Sequence, residues 1–285
     1  MNKPNWSAQS IIDASPYEQL DKERWYATDL GGCLGGAYFR RKGAIPSNPP
    51  DARSLRIMRM GKKIEELVVD DFENHFKDNP EILLLETQGY MYDEALNASA
   101  RYDILIVPRN LTPLVYEVKS VNSKAFWWMA KEGWKVKPEH EMQIQWYLHK
   151  LKSTYPDIEG RVLYVSRDDL VIQELSVEYD STITKQSIDK FTLLDQCWKD
   201  QTPPPVEPAV VFNESGKKWQ VNYKAKYCSH HSLCLDDVQW LEKAEKRVAG
   251  LNSGEINSNE LPTTEPASPV KKNTNHKSKS KSRKV

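Results

Sequence analysis

The chain of 285 residues is short of several things, and each shortage narrows what it can be. No apolar run approaches the ~20 residues a helix needs to span a bilayer. The opening MNKPNWSAQS lacks the apolar centre of a secretory signal, so the sequence predicts a cytoplasmic protein, or one associated with nucleic acid in its host cell. Cysteine is scarce: Cys33, Cys197, Cys228 and Cys234 read, in that setting, as free thiols or metal ligands rather than disulfides. Net charge is also missing, because 40 Lys and Arg cancel 40 Asp and Glu. The cancellation is uneven. Residues 271–285 carry Lys271, Lys272, Lys277, Lys279, Lys281, Arg283 and Lys284 with no acid, which leaves the body net acidic, so a polyanion must be met by local basic patches and this tail. Finally, Gly31-Gly32 and Gly35-Gly36 have no strand before them and no Gly-Lys-Ser/Thr after them, which excludes a phosphate-cradling loop.

What is present suits a soluble globular protein with one substantial core, or a core and a small satellite. The stretch 101–121, RYDILIVPRNLTPLVYEVKSV, reads as two strands, 102–107 and 114–119, parted by Pro108, Asn110 and Pro113 and joined as a hairpin. On the second strand Leu114, Tyr116 and Val118 point one way, and Val115, Glu117 and Lys119 the other. Asp103 opens the partner strand, where pairing brings its carboxylate near Glu117, with Lys119 one pleat away. Two carboxylates with little to neutralise them suit a hard divalent cation such as Mg²⁺ or Mn²⁺. Taken alone, Glu-x-Lys is far more often only the solvated face of an amphipathic strand.

From Asp51 a helical stripe (Leu55, Met58, Ile64, Leu67, Val68, Phe72) runs to a stop before Pro80, broken by Gly61. Glu65 lies at the stripe's edge, either aimed at the hairpin or solvated with Lys62 and Glu66. Tyr38 to Lys42 reads as a short helix end with a basic edge, and 81–95 as a strand. In 122–138, Phe126, Trp127, Trp128 and Trp134 interleave with Lys124, Lys131, Lys135 and Lys137. Such rings and cations either stack bases and meet phosphates or pack a helix down. A second amphipathic helix, 139–151, places Gln143 and Tyr147 on one face, for substrate or for ordinary interface polarity. Strands at 161–166 and 170–177 flank a turn, a helix covers 182–198, and Pro203-Pro204-Pro205 is a stiff spacer. Beyond about Ala249 the chain is polar, Lys/Ser-rich and without periodicity, which predicts disorder.

In that order, the acidic helix, the Asp strand, the Glu-x-Lys strand and the Gln-x-x-x-Tyr helix resemble the PD-(D/E)xK nuclease superfamily. More narrowly, residues 25–235 resemble RecB/AddB-type nuclease domains, including CRISPR-associated RecB-like exonucleases and their phage relatives. The resemblance implies an α/β, restriction-endonuclease-like core with a central mixed β-sheet flanked by helices, forming one nuclease domain over 1–248, with a disordered basic tail over 249–285. It implies metal binding by Asp103, Glu117, the Val118 carbonyl and Glu65, with Glu66 as the fallback, catalysis by Lys119, and DNA positioning by Gln143 and Tyr147. The aromatic stretch adds Trp127, Trp128, Lys131 and Trp134 as candidate DNA contacts. Ala100, where relatives often have Gly, is a departure. The implied activity is that of a Mg²⁺- or Mn²⁺-dependent DNA exonuclease acting on ends or single strands in recombination, repair or phage DNA processing. A catalytically silent DNA-binding accessory protein of the same fold is the alternative, and its mark would be a lost carboxylate or lysine.

Iron–sulfur relatives pair an N-terminal cysteine with a C-terminal Cys-x2-Cys-x5-Cys that together hold a [4Fe-4S] cluster. Cys33, Cys228 and Cys234 match three of these positions, and Ala225 replaces the fourth. Cys197 as the fourth ligand, an open or non-cysteine position, and a lost cluster are the options the sequence leaves. His230 and His231 also permit zinc, and a zinc-binding interaction module around Cys228 and Cys234 is a third reading, but the expectation is the iron–sulfur cluster that the resemblance implies, on Cys33, Cys228, Cys234 and Cys197.

Overall fold

The computed structural model describes residues 7–14, 23–213, 216–235, 237 and 239–256. In chain order the elements are α1 (Ala8–Asp13), β1 (Trp25–Tyr26), α2 (Leu34–Arg41), α3 (Ala52–Phe76), β2 (Ile82–Thr87), β3 (Tyr90–Asp93), β4 (Ala98–Arg101), β5 (Ile104–Pro108) and β6 (Leu114–Val121). They continue with α4 (Ser123–Lys131), α5 (Pro138–Leu151), β7 (Glu159–Ser166), β8 (Ile172–Val177), α6 (Ser181–Lys199), β9 (Val210–Asn213), β10 (Lys218–Val221), α7 (Tyr223–Lys226), α8 (His231–Leu235) and α9 (Trp240–Ser253).

The fold is mixed α/β. Its central sheet has the order β2-β5-β6-β7-β8, antiparallel throughout except for the β6–β7 pair. A parallel step needs a crossover, and α4 with α5 supplies it. Alternation sends Leu105, Val115, Val121, Val162 and Tyr164 into the core shared with α5 and α6. Ile104, Ile106, Tyr116, Val118, Leu163 and Val165 go to a second core beneath α3, on Ile64, Val68 and Val69. The middle of the sheet is therefore covered on both faces.

The Asp51 carboxylate starts α3 by accepting the Ser54 N–H at 2.7 Å. The expected break at Gly61 does not occur: the helix runs through it unbroken. Glycine costs only about 1 kcal/mol there, less than burying Ile64, Val68 and Val69 returns. The helix α5 also departs from expectation, because it is not amphipathic: Met142 to Leu148 are all buried. Its start is preset by Pro138, with Glu139 and Glu141 in the first turn and His149 and Lys150 in the last complementing the helix dipole. Buried Gln145 is satisfied by donating to the Glu178 carbonyl (2.7 Å) and accepting from the Asp180 N–H (2.9 Å).

The strand expected over 81–95 is two strands in two sheets. Gln88, in the left-handed region at φ 54°, turns the chain between them, and β3 joins a small sheet of order β1-β4-β3. The expected basic edge on α2 is turned inward: Arg40 pairs with Asp29, and the Arg41 guanidinium lies 4.3 Å from the Trp25 ring and 4.4 Å from that of Trp198. Ala225, Trp240 and Ala244 form a satellite core. The helix α9 runs past residue 248 to Ser253; residues 257–285, including the Lys/Ser-rich tail, lie outside the described residues. Among the described residues no helix is long and apolar enough to cross a membrane.

Candidate active site

Ile104 pairs with Tyr116, so Asp103 stands opposite Glu117 and shares its face. The Asp103 N–H donates to the Tyr116 carbonyl at 3.2 Å, and its Oδ2 accepts the Val118 N–H at 2.6 Å. A carboxylate thus takes the ladder position that a strand carbonyl would otherwise fill. Glu117, only 3 % exposed, is held by three donors. Oε1 accepts from Lys119 Nζ and, at 2.9 Å, from Gln143 Nε2; Oε2 lies 2.8 Å from the Tyr147 hydroxyl. That hydroxyl is also 3.0 Å from the Arg101 carbonyl and accepts from Gln143. Their four-residue spacing on buried α5 places Gln143 and Tyr147 together over Glu117.

Glu65 approaches from α3, on the other side of the sheet. Its Oε1 accepts from Gln88 Nε2 at 3.0 Å, and the Gln88 N–H donates to the Asp103 carbonyl at 2.9 Å, so the turn after β2 links helix to strand. Glu66 instead faces outward, bonded to Lys63 at 2.5 Å. Glu65, Asp103 and Glu117 do not all bring their oxygens within 4.8 Å of one another.

The electrostatics report a surplus of negative charge. Burial, then the Glu117 and Glu65 carboxylates, push the Asp103 carboxyl well above its usual range, against the opposing Val118 N–H and Lys119. Burial pulls the Lys119 ammonium down, but Glu117, Asp103 and Glu65 together hold it above its ordinary value. Burial, then the Glu117 and Asp103 carboxylates, raise Tyr147, which keeps it a neutral donor. Three carboxylates thus face one ammonium. The donor set is wholly oxygen, and Val118 adds a further oxygen: two residues beyond Tyr116, it turns its carbonyl to the same edge, where β5 has ended. Such a set fits a hard divalent cation.

No known protein family matches the chain, and no curated protein does. Among solved structures it is similar to SSO0001, at 18% identity over 80% of this chain and 96% of that one, with a TM-score of 0.44. It is also similar to LHK-Exo, an alkaline exonuclease from Laribacter hongkongensis, at 15% identity over 63% of this chain and 94% of that one, with a TM-score of 0.39, and 0.40 for LHK-Exo in complex with dAMP.

On α4, Trp127 and Trp128 are 54 % and 44 % exposed, with ring centroids 4.9 Å apart and Lys131 Nζ about 5 Å above each. Trp134 does not join them; it packs edge-on to Phe126 at 4.7 Å. His140 escaped the sequence reading altogether. Its Nδ1 lies 2.8 Å from the Tyr164 hydroxyl, which also accepts the Lys137 N–H at 3.1 Å. Burial, then the Lys119 and Lys137 ammonium groups, lower it to about 3.

The cysteines divide. Cys33, Cys228 and Cys234 converge at the first turn of α2, with the Cys234 sulfur against Gly35 and the Cys228 sulfur against Gly36. Cys197 is not with them. It packs in the main core on α6, its thiol pushed up by burial and by Asp200, so it does not serve as the fourth ligand.

Proposed function

We propose that this chain is a divalent-metal-dependent deoxyribonuclease of the PD-(D/E)xK type, acting as an exonuclease on DNA ends or single strands in recombination, repair or phage DNA processing. The observation that carries this is the buried Asp103–Glu117 pair, register-matched across one hairpin, with Lys119 on the same face and too little positive charge to balance the acids. Asp103, Glu117, Glu65 and the Val118 carbonyl would hold the cation. When bound, Mg²⁺ or Mn²⁺ supplies Lewis-acid polarisation of the phosphoryl oxygen and a lowered pKa for attacking water.

The protein's own residues do the rest. Gln143 and Tyr147 fix the orientation of the Glu117 carboxylate, so its ligating geometry is set before substrate arrives. Lys119, kept protonated by its acidic neighbours, offers positive charge to the phosphoryl oxygens as negative charge builds on them. The exposed Trp127–Trp128 pair gives unpaired bases a stacking surface, with Lys131 at hand for a phosphate.

End-labelled single- and double-stranded DNA, blocked at one terminus at a time and incubated with Mg²⁺ or Mn²⁺, tests the reading. Wild type should release nucleotides from a free end. Asp103→Asn, Glu117→Gln and Lys119→Ala should each lose at least about 100-fold in rate while still retarding DNA in a gel. Metal-dependent cleavage at the wild-type rate in all three would refute the assignment.

A further inference from the structure

The cysteine clasp contains a residue whose state nothing else in the fold explains. His231 is 1 % exposed, and neither of its ring nitrogens has a hydrogen-bond partner. A buried imidazole left without partners is costly. Its neighbour His230, equally buried, is by contrast fully spent: Nε2 lies 3.1 Å from the Ala44 carbonyl and Nδ1 2.9 Å from the Ser229 hydroxyl. His231 packs edge-on to Trp240 at 4.5 Å, and one of its nitrogens lies with the sulfurs of Cys33 and Cys234, all within 4.8 Å of one another. Cys228, outside that close group, adds a third sulfur nearby: a Cβ on Gly36 would lie 2.6 Å from its sulfur and 3.7 Å from the Cys33 Cβ.

We propose that Cys33, Cys228, His231 and Cys234 form a structural site for a single tetrahedral zinc ion, and that no iron–sulfur cluster is held there. With Zn–S near 2.3 Å and Zn–N near 2.0–2.1 Å, ligand atoms around one zinc are about 3.5–3.8 Å apart, so Cys33, His231 and Cys234 need only draw together from within 4.8 Å, and Cys228, outside that group, must bring its sulfur in to complete the tetrahedron. An iron–sulfur cube sets each thiolate on a different iron and needs more room between them. The surroundings leave little: a Cβ on Gly35 would lie 2.4 Å from the Cys234 sulfur, and one on Gly36 2.6 Å from that of Cys228. The glycine pair therefore lets two sulfurs settle against the first turn of α2. Ala225, where iron–sulfur relatives carry a cysteine, is wholly buried in the satellite core with Trp240 and Ala244. The fourth donor has in effect passed from position 225 to position 231.

The test is made on full-length protein, purified without oxygen from cells supplied with both iron and zinc. Metal analysis should find zinc close to equimolar with the chain, without iron or acid-labile sulfide, and the solution should be colourless. X-ray absorption at the zinc edge should give three sulfurs and one imidazole nitrogen. Cys197→Ala should keep the zinc, whereas His231→Ala should lose it by at least about tenfold in affinity. Iron with sulfide and visible charge-transfer absorption, four sulfurs around zinc, or a chain free of metal would each overturn the proposal. The absorption measurement needs no variant to fold, and none of these readouts depends on DNA cleavage.

Discussion

His140, near Lys119, has a consequence for acid stability. A proton added to its ring must enter a buried site beside two ammonium groups. With a folded value of about 3 and an unfolded one near 6.5, the unfolded chain binds more protons between those limits. This histidine therefore costs stability as pH falls below about 6.5 and is silent above it. The loss approaches about 1.4 kcal/mol per pH unit within the window. Thermal unfolding at pH 7 and pH 4.5 should show a smaller drop in Tm for His140→Gln than for wild type. Asp103, whose raised carboxyl acts with the opposite sign, cancels in that difference. Equal drops would remove His140 from the account. At this scale the sequence was legible where spacing alone decides direction, as for Asp103, Glu117 and Lys119. It was not legible where the fold decides between neighbours: His230 and His231 are chemically identical in the sequence, and only the reach of the Ala44 carbonyl consumes one and leaves the other.

Among the elements, α4 carries the clearest division of labour. Phe126 and Trp134 close on each other, while Trp127, Trp128 and Lys131 face outward. Base stacking is worth about 1–3 kcal/mol per ring, so Trp127→Ala and Trp128→Ala should each weaken single-stranded DNA binding roughly 5- to 150-fold. Fluorescence anisotropy measures this, and turnover at saturating DNA should hold near wild type because neither ring touches Glu117. Unchanged affinity in the double variant would make the pair ordinary surface. The hairpin β5–β6 and the helices α3, α5 and α6 were readable because alternation and apolar stripes fixed them. The β1-β4-β3 sheet was not: Ala98, Ser99 and Ala100 are buried in succession with small side chains, so no period-two signal exists there. The whole-turn burial of α5 was likewise hidden, because Gln143 and Gln145 look like a polar face until Glu117 and the 178–180 main chain are brought against them.

For the molecule as a whole, the clasp joins α2 to a segment far along the chain, with Asn48 also bonded to the Ser229 carbonyl at 3.0 Å. Among the described residues, the satellite core it secures holds Ala225, Trp240 and Ala244 as its buried apolar residues, too few to stand alone. Stripping zinc with a strong chelator should therefore speed amide hydrogen exchange across β9, β10 and α7 to α9, while β5, β6 and β7 stay protected. Loss of protection in the central sheet at the same chelator concentration would show instead that the two parts open as one. In the main sheet, one oxygen of Asp103 serves the main chain of Val118. Alanine at this position would strand a buried amide at about 1–3 kcal/mol, whereas asparagine keeps it satisfied, so the architecture tolerates loss of the charge there but not loss of the oxygen.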